Sequence, residues 1–329
     1  MAEVTTYYRR VAKELAKLPK DTDSRDWIEA KKFLYELNLP LIWSQICLLA
    51  FGLTRNAIIQ IWLLIEYING WRRQPGKWDM LVALEVLDEI RQRINRLPDD
   101  HPREDRLLEL WLYHSGWIYH PAGEFGKAAG CHERAVQMAE TDGNNWGRLL
   151  SLFNAAYERL NEAILFNKGI SEYYGEFQRS AYDFLDYLAT LALDGVLSDN
   201  NIRWQANVHC HLIFYGWVVE RRYPSRPDVS FLYDLPEALG PAFADAAVVL
   251  ETLCELSADP ERVMKITSGV ALAAEVEWYT FAKLVQISAL GKTGKLKEAE
   301  AVQREMDDFL KDRHGGHLAS AILAHGLLK

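Results

Sequence analysis

Residues 112–136 read LYHSGWIYHPAGEFGKAAGCHERAV, two helical patterns broken by one turn. Gly116 and Ala128 are small residues that let two helices approach closely. Gly123 supplies the turn, and Phe125 plugs the gap behind it. The stretch predicts a helix over 103–120 and its antiparallel partner over 124–140.

The same helical periodicity runs in both directions from this pair. Toward the N-terminus it predicts helices at 4–18 and 24–37 around the break KDTDS, then at 41–53, 55–71 and 78–96. In the last of these Met80, Leu84, Leu87, Ile90 and Ile94 recur on one face. Toward the C-terminus it predicts 145–168, 171–194, 199–222, 241–257, 260–274, 276–291, 295–312 and 315–327. Strand alternation and hairpin dipeptides are nearly absent. Most links are short, which forces consecutive helices to run antiparallel. The exception is YPSRPDVSFLYDLPEALG at 223–240, whose three prolines mark a longer, ordered insertion. The expectation is an all-α chain, an irregular αα-hairpin solenoid of about 12–14 helices. It divides into an N-terminal helical region, 1–98, and a repeat region, 99–329, or runs as one continuous array.

The spacing of Gly116, Tyr119, Gly123, Phe125, Ala128 and Ala135 resembles a tetratricopeptide repeat. A second window, 287–306, repeats the turn with Gly294, Leu296 and Ala299. Two degenerate windows supply Gly175 and Phe177 (173–187), and Gly76 and Trp78 with Leu81 at the Ala position (75–87). A longer periodicity places Gly70, Gly116, Gly169, Gly216 and Gly269 at intervals of 46 to 53 residues. The resemblance implies a superhelix whose first helices line a concave side. Carrying the groove positions of the family onto this window gives Leu110, Tyr113, Trp117 and His120 as partner-binding residues. The Lys and Asn residues that clamp a terminal carboxylate in chaperone-binding members are absent from these four positions. The implied partner is therefore a hydrophobic peptide or a helix. The competing reading packs Tyr113 and Trp117 against an adjacent helix pair.

Composition narrows the function classes. The net charge of −9 opposes nucleic-acid binding, and the basic clusters are only pairs such as Arg72–Arg73 and Arg221–Arg222. Cys47, Cys131, Cys210 and Cys254 are scattered without CxxC spacing, as in a reduced cytoplasmic protein. The N-terminus carries no apolar signal core. The apolar run 39–65 is split by Arg55 and Asn56 into pieces too short to span a bilayer, which predicts two buried helices and no membrane association.

Chemistry-bearing motifs are weak. His209 and His211 flank Cys210 on one helix and point about 200° apart, so they cannot share a metal by themselves. Cys131 and His132 are adjacent and fail similarly. His114 and His120 are six apart, and His317 reads as a loop or helix start. HExxH, GxSxG and a phosphate-binding loop are missing. No cofactor or metal site is expected. The first functional expectation is a non-enzymatic scaffold or regulatory module for a protein or peptide partner. The alternatives are a small-ligand or catalytic protein with a site between helix pairs, near Trp111, Trp117, His120, His209 and Trp217, and a regulated effector in a bacterial signalling or defence system with 223–240 as its exposed loop.

Overall fold

A computed structural model describes residues 9, 11–13, 16, 40–72, 80–98, 104–194, 198–235, 240–269, 276–311 and 316–328. Among them all regular structure is helical: fourteen α-helices, two 3-10 turns and no strand. The chain is all-α. The helix pair expected at 4–18 and 24–37 lies almost wholly outside the described residues, as do Gly76 and Trp78. Two compact units form, one from Met1–Tyr119 with Gly130–Ser151, the other from His120–Ala129 with Leu152–Lys329. The division drawn from sequence at 98/99 falls inside the first unit.

In the first unit α1 (Pro40–Leu53) and α2 (Ala57–Arg72) come from the split apolar run. The split is a cap: Asn56 Oδ1 accepts from the backbone N–H groups of Ile58 and Ile59 at 3.0 and 3.2 Å. The two helices run antiparallel. Trp43 Nε1 donates to Glu66 Oε2 at 3.1 Å, and Ser44 Oγ donates to the Tyr67 carbonyl at 2.9 Å. No helix among the described residues is long and apolar enough to cross a membrane. Helix α3 (Met80–Ile94) buries Ala83, Leu87, Ile90 and Ile94, one stripe at helical spacing. It packs on α2 and on α4 (Glu104–Tyr119), where Trp111 Nε1 donates to the Leu87 carbonyl at 2.8 Å.

The quoted turn forms as expected. Helix α4 ends in a 3-10 turn at His120–Ala122, and Gly123 follows at φ 74°. That conformation favours glycine. Helix α5 (Phe125–Thr141) then begins, with Phe125 buried. Gly116 has a different task. A methyl group there would collide with the ring of His132, which is fully buried. The N-terminal turn of α6 (Asn145–Phe166) is tied to α4 by buried Glu109, which accepts from Asn144 Nδ2 at 3.0 Å.

In the second unit α6 continues beside α7 (Ile170–Leu193), where Phe153 and Tyr157 meet Phe177. Next come α8 (Asp199–Glu220), a short α9 (Arg226–Val229), α10 (Gly240–Glu255) and α11 (Pro260–Thr267). Then follow α12 (Val276–Lys292), α13 (Leu296–Lys311) and α14 (Gly316–Ala324). From α10 on, each helix packs on the next, and α10 and α12 also touch the helix after that. Helices α12 and α13 are antiparallel about Gly294 (φ 73°), with Tyr279 against Phe309 and Lys283 Nζ 2.9 Å from Glu305. Phe214 of α8 stacks on Phe281 of α12 with ring centroids 3.6 Å apart.

Three sequence readings change. The window 173–187 holds no turn, because Gly175 lies inside α7. The buried stripe of Tyr174, Phe177, Ala181, Phe184 and Leu188 carries that helix through the glycine. The long glycine periodicity does not mark one structural position: Gly70, Gly116 and Gly216 sit within helices, and Gly169 and Gly269 in turns. The insertion at 223–240 is partly helical, since Asp228 accepts from the Ser225 N–H and hydroxyl at 2.7 Å and starts α9.

Candidate functional site

The second unit brings several buried polar side chains together in one hydrogen-bonded group. Helix α6 supplies three of them. Asn154, Glu158 and Asn161 share one face at i, i+4 and i+7, all fully buried, with Tyr157 beside them. The apolar stripe of Phe153, Leu160 and Ile164 packs next to this polar stripe, so α6 buries more than half its circumference.

Two linked constellations result. In the first, His120 Nδ1 lies 2.8 and 3.0 Å from the two oxygens of Glu158. The His120 ring stacks on Tyr157 at 5.6 Å and 23° and leans on Phe125. In the second, Glu277 at the start of α12 accepts on Oε1 from the Tyr157 hydroxyl at 2.6 Å, with His211 Nε2 3.2 Å from the same oxygen. The other nitrogen of His211, Nδ1, lies 2.8 Å from the Asn207 carbonyl one turn back on α8. Tyr215 closes the group, donating to Asn161 Oδ1 at 2.6 Å.

The electrostatics follow from burial and pairing. Burial pushes Glu158 above the usual carboxylate range, opposed by His120 and by the Asn161 amide. Burial would also raise Glu277, but His211 and the Tyr157 hydroxyl outweigh it and hold that carboxyl down to about 2. Burial works against the charged form of His211, yet Glu277 overrides it and raises the imidazole above its ordinary value. Burial, then the negative charge of Glu277, keeps Tyr157 and Tyr215 well above the ordinary phenol range. Glu277 is enclosed by packed helices, but 32% of its side-chain surface stays open, and His120 keeps 19%. The cluster is therefore recessed but reachable at these two residues. Among the described residues no group of three His, Cys, Asp or Glu side chains is placed to hold a metal.

Of the four residues expected to bind a partner, Leu110, Tyr113 and Trp117 lie in the first unit and are half-buried. Leu110 packs on the apolar cluster of α2, α3 and α4. Tyr113 and Trp117 both set their rings edge-on to His132, at 5.7 and 5.9 Å. His120 belongs to the second unit and its Glu158 pair. The residues weighed for a site between helix pairs do not all gather. Trp111 is tied to Leu87, His209 faces Phe231 at 5.2 Å, and Trp217 is buried against Phe214. His209 and His211 do point apart, as their spacing requires. The sequence reading missed Tyr157, Glu158, Asn161, Tyr215 and Glu277. The only local signal was the polar series at helical spacing along α6.

No protein family matches the chain, and neither a curated protein nor a solved structure does.

Proposed function

We propose that the chain is a non-enzymatic interaction module of the tetratricopeptide-like kind. It holds a peptide or a partner helix along the α4 surface that carries Leu110, Tyr113 and Trp117. The observation that supports this most is the state of those side chains. They sit at helical spacing beside a repeat-type turn and are only half-buried, so apolar and aromatic edges remain for a partner to cover. Stacking of consecutive antiparallel helices in the second unit fits the same reading. Selection from a random peptide library against the full chain, followed by calorimetric titration of an enriched peptide, tests it. Trp117→Ala and Tyr113→Ala should each weaken that peptide by about 2 kcal/mol. Failure to enrich any peptide or helix, or affinities untouched by both substitutions, would refute the proposal.

A second reading, a small-ligand site in the second unit, is favoured by one specific observation: the recessed polar cluster around Glu277 and His120.

A further inference from the structure

Helix α6 buries Asn154 completely, and among the described residues neither its Oδ1 nor its Nδ2 has a hydrogen-bond partner. A buried amide with both groups unmatched is costly and calls for a partner. Asn154 lies one turn before Glu158 on the polar face of α6, the face that meets His120, Tyr215 and the Glu277 group. Glu277 offers the complementary feature. Its Oε1 takes both Tyr157 and His211, and no hydrogen bond or ion pair among the described residues falls on Oε2.

We propose that this cluster is a binding site for a small organic cation, a primary ammonium, which Glu277 Oε2 holds and Asn154 helps to orient. The proposal is independent of the peptide-binding reading, which uses residues of the first unit.

Charge selects the class of ligand. The groups facing the cluster are Glu158 and Glu277, both acidic, the imidazoles of His120 and His211, and the phenols of Tyr157 and Tyr215. The two imidazoles already face the two carboxylates, so an incoming anion finds no uncommitted positive charge, and Oε2 of Glu277 would repel it. An apolar ligand would cover the open oxygen without bonding it. A metal ion needs three or more converging ligands, and the described residues supply no such group. An ammonium brings one charge and several N–H donors.

The test is calorimetric titration of the full chain with n-butylamine and putrescine as hydrochlorides, and with sodium butyrate as the opposite charge. Saturable binding of an amine, weaker as salt is added, is expected, with no binding of butyrate. Glu277→Gln keeps the shape and should lower amine affinity by about tenfold or more. Asn154→Leu provides a second variant that does not depend on the first one folding. It removes an unmatched buried amide, so it should raise the melting temperature of the free chain while lowering amine affinity. Absence of saturable amine binding to the native chain overturns the proposal. So does preferential binding of butyrate, or an affinity unchanged in Asn154→Leu.

Discussion

Two buried histidines, one in each unit, are housed by different physics. His132 in the first unit is accommodated by shape: Gly116 leaves room for its ring, and Tyr113 and Trp117 close over it edge-on. His211 in the second unit is held by polarity, with Glu277 on one nitrogen and the Asn207 carbonyl on the other. A histidine seated by shape is sensitive to added volume. One seated by an ion pair is sensitive to protons. The contrast separates a histidine set into helix packing from one set into a hydrogen-bonded cluster.

The largest effect is expected where the second unit's apolar frame is cut. Phe214 stacks on Phe281 and joins α8, which carries His211, to α12, which carries Glu277. Phe214→Ala should cost about 3–5 kcal/mol in denaturant unfolding. If the cluster depends on that frame, its pH response should weaken with it. Tyr157→Phe removes a single hydroxyl donor from a charged acceptor and should cost about 1–2 kcal/mol in the same measurement. A neutral result would mean that Glu277 is held by His211 alone. Gly116→Ala should cost about 1–3 kcal/mol, because the His132 ring must move.

The pH response of native stability has a definite sign. His211 is raised in the folded chain, so its contribution is complete below the ordinary histidine value of 6.5 and fades as pH climbs through the raised one. Glu277 is depressed, so its contribution is complete above 4.5 and fades as pH falls toward about 2. The contribution of this pair, read as the difference in urea-unfolding stability between the native chain and His211→Gln, should therefore be largest between about pH 4.5 and 6.5 and decline on both sides. His211→Gln should remove the alkaline decline attributable to this pair.

The all-α class and most helix spans were legible because helices are local. The observed α1 through α10 begin and end within two residues of the expected spans, apart from the unanticipated α9. Helix α11 ends at Thr267, short of the expected 274, where Ser268 N–H closes on the Met264 carbonyl; 270–274 lie outside the described residues. The turn at Gly123 was readable because a left-handed residue leaves a glycine behind it. Gly175 misled because a glycine within a strongly apolar stripe looks the same as one at a turn. The polar cluster was not readable from spacing. Glu277 lies 120 positions from Tyr157 and 66 from His211, and His120 lies 38 from Glu158. Tertiary packing of α6, α8 and α12 brings them together, and that packing leaves no periodic trace in a single chain.

The most direct test of the site is the imidazole titration of His211, followed by proton NMR in the native chain and in Glu277→Gln. The ion pair predicts a midpoint above 6.5 in the native chain and a fall below 6.5 once Glu277 is neutral, where burial and His120 are opposed only by the Asn207 carbonyl. A native midpoint at or below 6.5, or one that Glu277→Gln leaves unmoved, would contradict it.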